Sequence, residues 1–194
     1  MAVAGRCLLA VGHAGAQEGQ GQLAVGFTLV DAAGRLVHSS DFSGKWLLIY
    51  FGYTHCSDLC PLGLTTMTAA LEQLGPAAEH LQPVFITVDP ERDRGAMLQT
   101  YTEAFDKRLI GLTGTLDQIE NAARLLNAPF SKVRAASDDY VVDHSSAFTL
   151  VFPDRRTFRT IKIAEPHLLA AQLIEVLVRA DIPLDRVGNL RAYR

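Results

Sequence analysis

Residues 45–51 run Lys45, Trp46, Leu47, Leu48, Ile49, Tyr50, Phe51. This almost unbroken apolar stretch is the pattern of a central strand buried on both faces. Residues 83–88 repeat the pattern around Val84, Phe85 and Ile86. Between these runs the period changes. Leu64, Met67, Leu71 and Leu74 fall on one stripe, which predicts a helix over 61–74. Pro61 suits the first turn of that helix, and Gly75 with Pro76 ends it. Further helices are predicted at 95–105, at 115–126 behind a Thr115–Gln118 capping box, and from Pro166, with Leu169, Leu173, Val176 and Leu177 facing inward. Residues 27–30 and 35–38 flank a turn at 31–34, where Gly34 takes the left-handed position of a hairpin. Residues 147–152 and 157–163 form a second strand pair around a turn at Pro153 and Asp154.

The order is hairpin, strand, loop, helix, strand, helix, then a late strand pair and a closing helix. That is the order of an α/β, thioredoxin-like fold: a central mixed sheet flanked by helices, with an N-terminal β-hairpin. The chain has 194 residues, enough for one domain with a real core. Apolar residues make up 48% and charged residues 20%, which is ordinary globular composition. A net charge of −3 argues against a nucleic-acid partner, and no apolar stretch approaches a membrane span. The expected organisation is a leader or flexible linker over 1–21, one domain over 22–180 and a loosely packed tail over 181–194. Residues 17–26 read as linker. Residues 1–16 sketch a secretory signal, with Arg6, a short apolar run and a small-residue site at Ala14, Gly15 and Ala16; a disordered leader or a truncated start reads equally well.

Cys7 lies in the leader, so the folded part holds two cysteines, Cys56 and Cys60, with three residues between them. One close pair is not a disulfide framework; it is a redox pair or part of a metal site. Their loop leaves the C-terminal end of a central strand and enters a helix, the edge where open α/β sheets collect ligands. Helix N-terminal N–H groups favour thiolate there, the form that is both nucleophile and metal ligand. On one helical turn the two Cβ atoms would lie roughly 5–6 Å apart, close enough to share an ion and near enough to close a disulfide with a small adjustment. Two thiolates alone make a poor metal site. His144 is the best third donor, because its loop, just before the strand from Ala147, lies beside the cysteine loop in this fold, where thioredoxins carry a cis-proline. Two soft sulfurs and an imidazole suit Cu(I), and with an added donor Cu(II).

Three motifs carry a family resemblance. They are Phe51, Gly52, Tyr53, Thr54, His55, Cys56, then Asp58, Cys60 and Pro61; Val88, Asp89, Pro90, Glu91, Arg92 and Asp93; and Val142, Asp143, His144 and Ser145. Together they resemble the SCO/SenC family over residues 22–178. The resemblance implies a copper-binding, thioredoxin-like assembly factor for the copper centre of cytochrome c oxidase, with Cys56, Cys60 and His144 as copper ligands. It implies a copper-accepting oxidase subunit as partner, another copper chaperone as donor, and a location outside the cytoplasm, in the bacterial periplasm. The chain departs from the family at Ser57, where a proline is favoured, and at 153–156, where a glycine-containing turn is usual. Many members carry a membrane anchor, and none is visible in this chain.

Other residues divide between plainer and sharper readings. His55 adjoins Cys56 and is expected near the site or in solvent, not on the metal. Tyr53 is expected to pack beside the loop and shield it, and Met67 to serve the core. Asp89 is either a turn and cap residue or a partner contact; Asp143 either orients its neighbourhood or sits in a surface turn. Two functions compete: a copper metallochaperone, and a thiol–disulfide oxidoreductase that reduces a copper-accepting partner with Cys56 and Cys60 as its redox-active pair. A peroxiredoxin-type peroxidase lacks its Pro-x-x-x-Thr-x-x-Cys run here. His144 separates the first two, because a reductase has no need of it.

Overall fold

The hairpin, the two central strands, the late strand pair and the four helices expected from the pattern all form, and four strands appear that the pattern did not predict, at 17–20, 110–113, 130–134 and 140–144. The computed structural model describes residues 25–56, 59–134, 140–162, 164–180 and 182, with the backbone of 17–20. In chain order the elements are β1 (Gln17–Gln20), β2 (Thr28–Asp31), β3 (Leu36–His38), β4 (Trp46–Gly52), α1 (Leu59–Leu74), β5 (Leu81–Thr87), α2 (Gly95–Glu103), β6 (Ile110–Thr113), α3 (Leu116–Leu125), β7 (Phe130–Arg134), β8 (Tyr140–His144), β9 (Phe148–Val151), β10 (Thr157–Ile161) and α4 (Pro166–Arg179). Residues 1–16, Ser57, Asp58 and most of the tail lie outside the described residues, so the expectations for the leader and tail stay open. Among the described residues no helix is long and apolar enough to cross a membrane.

Eight strands make one mixed sheet in the order β1-β10-β9-β4-β5-β6-β2-β3. The centre is parallel, β4 with β5 and β5 with β6. β9 runs antiparallel to β4, with Tyr50 opposite Phe148. All seven residues of β4 are buried, so helices cover both of its faces. α1 and α4 pack together, while α2 lies on β6 and α3 on β2. The stripe of Leu64, Met67, Leu71 and Leu74 is buried, as are the inward residues of α4, and the Thr115–Gln118 capping box is present.

Three differences from the sequence reading have physical causes. Residues 17–20, read as linker, add β1 to the sheet edge opposite β10; backbone pairing needs no apolar alternation, so composition hid it. Residues 140–144, read as a loop, form β8, which pairs with β7 in a separate two-stranded ribbon. The turn at 153–156 keeps the shape of a glycine turn without the glycine. Arg155 takes φ +56°, and its guanidinium offsets the strain by donating to the carbonyls of Ser39, Phe42, Lys45 and Phe152.

The topology fixes one sheet edge. β4 and β5 end there, and the antiparallel β9 begins there. The loops that follow β4 and β5 and the loop that precedes β9 therefore converge on one point.

Candidate metal centre

Cys56, Cys60 and His144 come from two of those converging loops, and their donor atoms all lie within 4.8 Å of one another. Cys60 sits in the first turn of α1 and is fully buried; Cys56 precedes the helix and is half-buried, as is His144. Cys56 lies outside the described span of α1, Leu59–Leu74. Cys56 instead takes the position of a cap, its Sγ accepting the Cys60 backbone N–H at 3.4 Å, one of the donors a helix N-terminus leaves over. No disulfide joins Cys56 and Cys60.

Burial pushes the Cys60 thiol well above its ordinary range, opposed by the backbone N–H of Tyr53 and reinforced by the neighbouring Cys56 and Asp93. Cys60 Sγ lies 3.1 Å from His144 Nε2. The other ring nitrogen, Nδ1, is 3.0 Å from the Ser145 carbonyl. A carbonyl only accepts, so Nδ1 carries the proton and Nε2 turns its lone pair toward Cys60. With that tautomer the Cys60 thiol would donate to the imidazole, and a cation held by both atoms would take the place of that proton.

The donor set fits a three-coordinate soft ion. Bonds of about 2.0–2.3 Å around a trigonal centre put donors roughly 4 Å apart, inside the observed spacing. Tyr53 and Tyr50 pack edge-on to the His144 ring, with centroids 5.8 Å and 6.4 Å away, which shields it as expected for Tyr53. His55 stands apart, half-exposed, with Nδ1 3.1 Å from Thr54 Oγ1. Asp143 is exposed on β8, and the carbonyl of Ser145 orients the histidine in its place.

Sequence reasoning missed what anchors the cysteine loop. Asp93 is fully buried, and its carboxyl accepts the Thr54 backbone N–H at 2.8 Å, Thr54 Oγ1–H at 2.5 Å and Thr87 Oγ1–H at 2.7 Å. Asp89 is equally buried. Its backbone carbonyl accepts the N–H of Arg92 and Asp93 and its carboxylate accepts from Tyr140 and Arg92. That settles the open alternatives for Asp89 in favour of a turn residue. Gly52 is the third: a Cβ there would lie 2.8 Å from the Phe85 ring and 2.9 Å from Cys60 Sγ. The available signal was the acidic cluster just past a buried strand, within a motif whose use the sequence did not reveal.

Known proteins of the same kind share this architecture. A family profile described as SCO1/SenC matches residues 15–179. Protein SCO2 homolog, mitochondrial, of Bos taurus is 45% identical over 139 residues, covering 69% of this chain and 52% of its own length. Protein sco1 of Schizosaccharomyces pombe is 39% identical over 140 residues, 70% of this chain and 53% of that one. This chain thus spans about half the length of the curated relatives it matches. Among solved structures, Bradyrhizobium japonicum ScoI with copper bound is 34% identical at TM-score 0.70, covering 79% of this chain and 98% of that one. Yeast Sco1 with copper bound is 33% identical at TM-score 0.71, covering 79% and 87%. With a profile spanning most of its length and two cysteines facing a histidine at one sheet edge, this chain belongs to the SCO1/SenC family.

Proposed function

We propose that this chain is a copper metallochaperone. It binds one copper ion through Cys56, Cys60 and His144 and passes it to a copper-accepting subunit during assembly of the copper centre of cytochrome c oxidase, after loading from another copper chaperone. The observation that carries this reading is the convergence of two sulfurs and one imidazole nitrogen within 4.8 Å. Copper fits better than structural zinc, which prefers four protein ligands. Relatives solved with copper bound support the choice of metal. The copper-binding unit is the domain over about 22–180, to which the strand Gln17–Gln20 adds an edge. His144 also helps line an open cleft of about 560 Å³ with Phe130, Asp143 and Lys162, so the imidazole side of the site is open to a partner. We place this work outside the cytoplasm, in the periplasm. The curated relatives named above include a mitochondrial protein.

The test is elemental analysis with thiol titration of the reduced protein. About one copper per chain is expected, lost in a Cys56→Ala, Cys60→Ala double variant. Full copper retention by that variant overturns the reading. The closeness of the two cysteines, with the Cys60 N–H 3.4 Å from Cys56 Sγ, also favours a second activity, reduction of a disulfide on the accepting partner. A His144→Ala variant separates the two: copper binding, Cu(II) above all, should weaken strongly while reduction of a model disulfide continues at a comparable rate.

A further inference from the structure

His144 is delivered by a ribbon that makes no ladder to the main sheet. Strand alternation puts Tyr140, Val142 and His144 on one face of β8, and burial agrees: Val141 and Asp143 are exposed, Val142 is buried and the two ends are half-buried. His144 and Tyr140 lie roughly 13 Å apart along the strand. At the Tyr140 end the ribbon is held by the loop after β5. Tyr140 donates its hydroxyl to Asp89 Oδ1 at 2.8 Å. Two cations lie over its ring, with the Arg92 guanidinium 4.0 Å and Lys132 Nζ 4.6 Å from the centroid. Arg92 in turn pairs with Asp89 and reaches the Tyr140 carbonyl at 3.4 Å. The same guanidinium lies 5.8 Å over the ring of Tyr53, which packs edge-on to His144. Arg92 therefore touches both the cysteine loop and the ribbon.

We propose that Asp89, Arg92 and Tyr140 form a clamp that sets the position of His144 opposite Cys60, so that they are positioning residues for the third copper donor. The idea rests on the copper reading for its consequence, and on the ribbon geometry for its mechanism. Cation–aromatic contacts and a hydroxyl on a carboxylate are directional, and the Tyr140 hydroxyl meets a fully buried carboxylate at Asp89, where such a bond is stronger than in water. The rival tie on the same face is the plug of Val142, with its backbone N–H on the Tyr53 hydroxyl.

The experiment compares wild type, Tyr140→Phe, Tyr140→Leu, His144→Ala and the Tyr140→Leu, His144→Ala double variant. In the reduced, metal-free protein, NMR cross-relaxation between the His144 ring and the Cys60 β-protons reads the position of the imidazole directly. It should weaken in Tyr140→Phe and vanish in Tyr140→Leu, while amide exchange in β4 and α1 stays unchanged. Cu(II) affinity should fall at least tenfold in Tyr140→Leu, and less in Tyr140→Phe. In the His144→Ala background the Tyr140 change should have no further effect, because a residue that acts through His144 has nothing left to position. Losses that add in the double variant, or a His144–Cys60 contact that persists in Tyr140→Leu, overturn the clamp and assign the positioning to Val142 and Tyr53. If wild type binds no copper, the copper reading fails by itself, and the cross-relaxation still decides whether the clamp places His144.

Discussion

The two halves of the candidate centre are built in opposite ways. The cysteine half is mounted on the core. Cys60 is fully buried on α1, its loop leaves a strand with every residue buried, and Asp93 pins that loop from below. The histidine half is mounted on a ribbon whose β7 strand is exposed from Ser131 to Arg134 and whose β8 strand buries only Val142. Opening the first half means breaking the core, at a cost near that of global unfolding. The second half opens locally, at the low end of the stability range. Such a division suits an ion that must be held and then released. On the proposed copper reading, the sulfurs are the fixed seat and the imidazole is the donor displaced at lower cost. Variants in the first half should therefore register in global stability, and variants in the second only in the ribbon.

The largest effect is expected from Asp93→Ala. Three donors, two of them from Thr54, lose their acceptor in a buried place. Orphaned buried donors cost about 1–3 kcal/mol each, with partial relaxation, so a loss of roughly 3 kcal/mol or more is expected in urea unfolding, together with faster alkylation of Cys56. A loss below about 1 kcal/mol with unchanged thiol reactivity would show that the cysteine half is not held from Asp93, and the contrast between the halves would fail.

Gly52→Ala comes next. The added methyl meets the Phe85 ring and Cys60 Sγ inside van der Waals distance, and overpacking of this kind costs about 1–3 kcal/mol. It acts on one ligand alone, so Cu(I) affinity should fall while the ribbon keeps its amide protection. Unfolding curves and exchange rates for β7 and β8 check both parts. A ribbon that loosens along with the core would mean that the halves are coupled through Cys60.

The same contrast explains what the sequence could say. Burial leaves a periodic signal, so β4, α1 and α4 were legible from their apolar stripes, and the Cys56–Cys60 pair from its place between strand and helix. The ribbon was not, because β7 and β8 bury a single side chain between them among the residues described, and alternation without an apolar face reads as loop. His144 was found by chemistry and resemblance, while the element that carries it was missed. Asp93, Asp89 and Arg92 were visible as a motif, but their work is done by contacts 39 and 51 residues away in sequence, which local pattern does not encode. The departure at 153–156 was legible, but nothing local announces that Arg155 finds three distant carbonyls, of Ser39, Phe42 and Lys45, to cap.

The smallest expected effect belongs to the outer edge of the ribbon and responds to pH. Lys132 Nζ on β7 pairs with Glu91 Oε1 at 2.8 Å. The hydrogen bond and charge of Lys132 hold the Glu91 carboxyl below its ordinary value of 4.5, against slight desolvation and with help from the Tyr140 hydroxyl. A carboxyl lowered in the folded protein contributes above its unfolded value and loses that contribution as pH falls through the folded one. The ribbon should therefore gain nothing between pH 6 and 5 and begin to loosen as pH falls below about 4.5. Both groups are solvated, so the change is local and screened by salt. Chemical shifts of Lys132 and Tyr140 followed from pH 6 to 3 should show this step at low ionic strength. It should be much smaller in Glu91→Gln or at about 1 M salt, where the screening length is about 3 Å, while amides of β4 and α1 stay level over the same range. An identical step in Glu91→Gln would move the acid response away from the Lys132–Glu91 pair.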